Sequence, residues 1–439
     1  MKTHLTYEFV QSLIFSEDIE KLELIFNKVS NVEVNYTDKN GYSLLCFAIH
    51  YGKIKSVEFL IAKGADVHHK NNKFYDEAPI HLAVRDYNND IITMILDAGA
   101  DINVTNSKGQ TPFLLACENK NTNVQMFVDA GSDVLAKDSH NKTALHYAAQ
   151  SGLIDIVKSL VTLGLDVNAQ DLTQHTPLHF AARSQQNDVV EFLILSGATV
   201  NAMDYYNNSP LHITTMFNDE FVENMVKTLL AHGADIHVKN NDKLTPLCMA
   251  VQSGSKSAVM ALISAGADIH AKRSNVLLGR QFGMNFVNDT LLHKAAINGR
   301  SHIVELLIEA GLDINAQDDI FATPLHYATA VENLDTVKAL VKAGAQLNIV
   351  DKDNATPLHV AIMTHKNNDI IQYMIDAGAD VNIAGKHGNT LLHYAVKDQS
   401  VAVTKILVRA GVDTAIKNDG GKTPLHYVKS KKIKELLTK

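Results

Sequence analysis

The chain has 439 residues, 46% of them apolar, and a formal net charge of -8. That apolar content belongs to a folded chain and not a disordered one. The mild acidity argues against a dedicated nucleic-acid binder, which is basic. The charge is uneven: residues 401–439 carry nine Lys or Arg and three Asp or Glu, which leaves -14 on the first 400. The basic end, with Lys429, Lys431, Lys432 and Lys434, reads as a solvated final helix and tail. No apolar run reaches the ~18 residues of a membrane span, and Met1–Phe15, broken by Glu8, does not read as a secretory leader. Cys46, Cys117 and Cys248 cannot all pair with one another. They read as buried thiols in a reducing compartment, so a cytoplasmic location is expected.

In chain order, residues 4–36 predict two short amphipathic helices, around Tyr7–Phe15 and Ile19–Phe26, followed by a hairpin-like entry at Val32–Asn35. From Ser43 onward one hexapeptide recurs. It stands as Thr176-Pro177-Leu178-His179-Phe180-Ala181 and returns at Thr323, Thr356 and Thr423, with weaker copies at Ser43, Ala78, Thr111, Thr143, Ser209, Thr245, Thr290 and Thr390. The twelve copies are spaced by 35, 33, 32, 33, 33, 36, 45, 33, 33, 34 and 33 residues.

Each unit can be derived locally. Thr176 suits a helix N-cap, and Pro177 suits the first helical position, where its missing N–H costs nothing. After a polar break at Ser184–Asp188, a second helix is expected over Val189–Leu195, stopped by Gly197 in a left-handed position. That glycine recurs as Gly64, Gly99, Gly131, Gly164, Gly233, Gly266, Gly311, Gly344, Gly378 and Gly411. An extended segment then leads through a turn to the next hexapeptide. One such unit cannot bury its apolar face alone, so the core must come from stacking.

The period and hexapeptide resemble the ankyrin repeat over nearly the whole chain. The resemblance implies an all-α ankyrin-repeat solenoid with short β-hairpin loops. Residues 1–36 are then a divergent N-terminal capping repeat, 37–422 the array and 423–439 a C-terminal capping repeat. Eleven stacking steps predict a curved rod of about 90–110 Å at helix-packing distance. The hexapeptide histidines His81, His146, His179, His212, His293, His326, His359, His393 and His426 lie one per copy, too far apart for shared metal coordination. In the family this histidine hydrogen-bonds between neighbouring backbone segments. The resemblance also matches Asn103, Asn168, Asn201, Asn315, Asn348 and Asn382 to a hairpin position that an asparaginyl hydroxylase modifies, although a plain hydrogen-bonding role is the favoured reading.

The departures from the repeat carry what specificity there is. Three residues are added around Phe217–Glu223, and a large insert fills one hairpin loop at 273–288. The insert is apolar for a loop, with Leu277, Leu278, Phe282 and Phe286. It either folds back on adjacent hairpins or meets a partner. The usual Asp-x-x-Gly turn becomes Asp204-Tyr205-Tyr206-Asn207 in the sixth copy and Asp318-Asp319-Ile320-Phe321 in the ninth, with Leu172 and Leu244 in the fifth and seventh. Aromatic groups at the centre of a surface are typical binding anchors. Tyr205, Tyr206, Leu277, Leu278, Phe282, Phe286, Ile320 and Phe321 are therefore the expected partner-binding residues.

No phosphate loop, dinucleotide fingerprint, His-Glu-x-x-His or nucleophile elbow is present, and no segment outside the repeats is large enough for a catalytic pocket. The expectation is a non-enzymatic protein-binding scaffold with no cofactor and no metal, acting by occupancy of a partner through its concave face and hairpin tips. Many Asn, Lys and Ile residues tilt the reading towards a microbial effector acting on host proteins in the host-cell cytosol. The alternatives are a cellular adaptor and a self-associating structural scaffold.

Overall fold

The computed structural model describes residues 7–28, 33–38, 41–71, 75–119, 123–217, 221–270, 289–364 and 367–438. Two compact units divide the chain, Met1–Pro210 and Leu211–Lys439. Both are built from pairs of short antiparallel helices.

The pair that follows Thr176 shows why the sequence folds this way. The first helix spans Pro177–Arg183, with Thr176 extended at the N-cap and Pro177 opening the first turn. Every residue from Pro177 to Ala182 is buried. The second helix, Asn187–Leu195, buries only Val189, Val190 and Leu193. It starts two residues before the expected Val189. Asn187 and Asp188 belong to its first turn, where an acidic side chain favours the helix dipole. The first helices of successive copies pack against one another, as do the second helices, so each unit has an inner and an outer row. At the N-terminus, Tyr7–Ser16 buries Val10, Leu13 and Ile14, and Ile19–Lys28 follows it. At the other end the last hexapeptide forms only a 3-10 turn, Pro424–Tyr427, followed by Lys431–Leu437 with Ile433 buried.

The recurrent glycine is required by backbone conformation. Gly197 stands at φ 94° directly after the second helix. Its N–H bonds to Ile194 O at 3.0 Å, and Ala198 N reaches Leu193 O at 2.9 Å. A methyl group on Gly197 would meet no atom within 4 Å, so crowding plays no part. The left-handed φ alone disfavours other residues.

In seven copies the hexapeptide histidine links its copy to the next. In His179, Nδ1 accepts the Thr176 backbone N–H at 3.1 Å, and Nε2 donates to Asn208 O at 3.1 Å. The same carbonyl link joins His81 to Gln110, His146 to His175, His293 to Ala322, His326 to Ala355 and His393 to Lys422. Both ring nitrogens are thus committed to backbone, which leaves no lone pair for a metal. Burial pushes His81, His146 and His179 down to about 4, so they are neutral at pH 7. Where Leu114, Cys46 or Cys248 replaces the histidine, the hydroxyl of Thr111, Ser43 or Thr245 caps that residue's amide. All three cysteines are free and buried.

The loops have the course of hairpins with almost no strand pairing. Among the described residues the antiparallel bridges are isolated ones: Thr37 with Ser43, Asn71 with Glu77, and Ala384 with Thr390. Side chains do the work of a ladder. The hairpin Asn168 accepts the Thr199 N–H at 2.8 Å and donates to Gly197 O at 3.0 Å, both in the next copy. Asn103, Asn315, Asn348 and Asn382 make the corresponding bond to Asp133, Gln346, Asp380 and Asp413.

Candidate partner-binding surface

The hairpin tips are shaped by one carboxylate or amide each. Asp204 Oδ1 accepts the N–H groups of Tyr206 and Asn208, at 2.8 and 2.7 Å. Asp318 Oδ1 does the same for Ile320 and Ala322, at 3.0 and 2.9 Å, while its Oδ2 takes the Tyr327 hydroxyl. Asp138, Asp171 and Asp351 build the same cradle. Within the first unit the tips are also joined by backbone. Tyr205 N donates to Thr173 O, Leu172 N to His140 O, Ser139 N to Lys108 O and Ser107 N to Tyr75 O, all between 2.7 and 3.0 Å.

On this frame Tyr205 and Tyr206 are 63% and 59% exposed. Their rings meet edge to face at 5.3 Å. Beneath them His175 lies between Asp204, 3.4 Å away, and Asp171, 3.8 Å away. In the second unit Phe321 is 56% exposed and Ile320 half-buried. Phe321 sits at φ 59°, where other hairpins place Gly41, Gly109 or Gly421. A bulky residue in the left-handed region is strained by roughly 1–2 kcal/mol.

Tyr205 and Tyr206 belong to the first unit, and Ile320 and Phe321 to the second. Leu277, Leu278, Phe282 and Phe286 lie outside the described residues. Leu172 is exposed at its tip as expected, but Leu244 is buried and its carbonyl receives His212 Nε2 at 3.0 Å. Its place is the buried one that Asn208 and Ala322 fill in other copies, so it cannot extend an apolar tip surface.

Sequence reasoning also misses a cleft. In the first unit an open cavity of about 430 Å³ is lined by Asp38, Tyr42, Phe47, His50, Tyr51, Leu82, Arg85 and Asp86. The Phe47 and Tyr51 rings pack at a tilt with centroids 4.7 Å apart, and the His50 ring meets Tyr51 edge-on at 5.0 Å. Burial pushes the Asp86 carboxyl up. The available signal was Tyr51, aromatic where Thr176's helix ends in Ser184.

Descriptions of ankyrin repeats match residues 7–106, 80–171, 178–273, 211–318, 292–385 and 374–428. The chain belongs to the ankyrin-repeat family. Among curated relatives, the human transient receptor potential cation channel subfamily A member 1 is 31% identical over 105 residues, 24% of this chain and 9% of that protein. Mouse Rabankyrin-5 is 33% identical over 131 residues, 27% of this chain and 11% of its own length. Rice probable E3 ubiquitin-protein ligase XBOS33 is 34% identical over 86 residues, 19% of this chain and 16% of that protein. The chain thus spans under a fifth of these relatives. The human ASB11 ankyrin repeat domain aligns with 54% of this chain and 99% of its own, at 22% identity and a TM-score of 0.47. Ankyrin repeats are protein-interaction modules, and the repeats of this chain indicate a protein–protein interaction scaffold. No described helix is long and apolar enough to cross a membrane.

Proposed function

We propose that the scaffold holds its partner by occupancy, through aromatic hairpin tips, and makes or breaks no covalent bond. The observation that carries this is the exposure of Tyr205 and Tyr206 on a turn fixed by Asp204 and by the neighbouring backbone. Such rings lose little conformational freedom on binding, which is what makes tyrosine an effective anchor. Phe321 is the counterpart in the second unit, its strained backbone tolerated in an exposed place. The insert residues Leu277, Leu278, Phe282 and Phe286 extend the same apolar chemistry between the two in sequence. Residues 1–36 and 423–439 act as the caps of the array, and the molecule works in a reducing compartment that keeps its three buried thiols free.

The richness in Asn, Lys and Ile favours a microbial effector directed at a host protein over a cellular adaptor or self-assembling scaffold. Site-specific photo-crosslinking tests the surface and the setting together. A photoreactive side chain at position 205 or 321 gives a discrete adduct in eukaryotic extract, and one at the outer-helix Leu195 does not. Adducts only with a second copy of the chain favour self-assembly. Equal adducts from all three positions contradict the proposed surface.

A further inference from the structure

The cleft near the N-terminus has a chemistry distinct from the tips. Its walls offer the aromatic faces of Tyr42, Phe47 and Tyr51, and its carboxylates are Asp38 and Asp86. The cation already there, Arg85, is taken by the fully buried Glu77. Two carboxylate oxygens are short of a donor: Asp86 Oδ2 on the cleft wall and Glu77 Oε2 behind Arg85 are both buried with no hydrogen-bond partner among the described residues. His50 Nδ1 lies 3.7 Å from Asp86 Oδ2, beyond hydrogen-bond reach. Buried carboxylate oxygens without donors are costly, so a ligand that brings N–H groups relieves a standing penalty.

Charge points the same way. The first unit has 16 Lys and Arg against 25 Asp and Glu, net -9, whereas the second carries 24 against 23, net +1. The aromatic cluster also engages a cation at its edge: Lys53 Nζ sits 4.3 Å from the centre of the Phe15 ring, which packs edge-on to Tyr51 at 5.4 Å. Aromatic faces and carboxylates together are the recognition set for an ammonium or guanidinium group.

We propose that this cleft receives a lysine or arginine side chain from a basic segment of a partner protein. The cationic head donates to Asp86 while its methylene stem lies along the Tyr42, Phe47 and Tyr51 faces. An anionic ligand is disfavoured because Arg85 is already paired, and a wholly apolar one would leave Asp86 Oδ2 unsatisfied. The inference stands independently of the tips, since no cleft residue belongs to the turns that carry Tyr205 or Phe321.

Fluorescence anisotropy with the full chain tests it. The probes are short fluorescein-labelled peptides alternating glycine with lysine, arginine or glutamate, at about 0.15 M salt so that diffuse attraction is screened. The lysine or arginine peptide binds saturably at one site, the glutamate peptide does not, and Asp86→Asn weakens binding by about tenfold or more. Tyr51→Ala weakens it too. Glu58→Gln, on the outer helix Ile54–Ala62, removes the same charge from the same unit and leaves binding unchanged. If Tyr51→Ala unfolds by circular dichroism, the near-isosteric Asp86→Asn decides. The proposal is overturned if neither cationic peptide binds, if the glutamate peptide binds equally, or if Asp86→Asn has no more effect than Glu58→Gln. Tyr205→Ser with Tyr206→Ser leaves peptide binding intact, so this site and the tips fail or hold separately.

Discussion

Acidification is the perturbation that addresses the hexapeptide histidines together. Burial holds His81, His146, His179 and His359 at about 4, against about 6.5 in an unfolded chain. The folded value lies below the unfolded one, so the unfolded chain binds more protons between them. Stability is therefore complete above about pH 6.5, is lost as pH falls towards about 4, and stops falling below that. At about pH 5 each histidine favours unfolding by about 2 kcal/mol, and the four by about 8, which is on the scale of a whole domain's stability. His293, His326 and His393 are shifted in the same direction by the same burial. Glu77 and Asp86 oppose them, because burial raises their carboxyls and acid relieves it, but they are two groups against seven. Urea unfolding followed by far-UV circular dichroism, stepped from about pH 7.5 to 4.5, reads the effect as a falling midpoint. Replacing His179 with Asn removes up to one proton, about 1.4 kcal/mol per pH unit, from that slope. A midpoint that is flat or rises between about pH 7 and 5 would refute the reasoning.

Two substitutions separate backbone conformation from contact. Phe321→Gly relieves the left-handed strain and raises stability by about 1 kcal/mol in thermal or urea unfolding, yet reduces crosslinking to the partner. A loss of stability would show that the ring packs and does not bind. Gly197→Ala costs about 1–2 kcal/mol although nothing crowds the position. An unchanged unfolding midpoint would mean that the φ of 94° is not required there.

The repeat was legible because its period, its capping threonines and its glycines are each tied to a local backbone requirement. Gly197 stops a helix by its φ whatever surrounds it, and His179 reaches the next copy because the spacing places Asn208 O beside it. What sequence misread depended on substitution of one interaction for another. Asn187 and Asp188 read as a polar break and instead open a helix, with Asp188 exposed in its first turn. Leu244 looked like a tip residue, but its apolarity serves a buried position above His212. The cleft was illegible because Asp38, Phe47, Tyr51 and Asp86 come from two copies and only folding brings them together.

The most direct test of the central claim is the dissociation constant of the purified, crosslinked partner for the intact chain and for Tyr205→Ser with Tyr206→Ser, measured beside their unfolding midpoints. The account predicts affinity lower by about tenfold or more, with stability changed by less than about 0.5 kcal/mol. Unchanged affinity, or a stability loss large enough to explain the weaker binding, would contradict it.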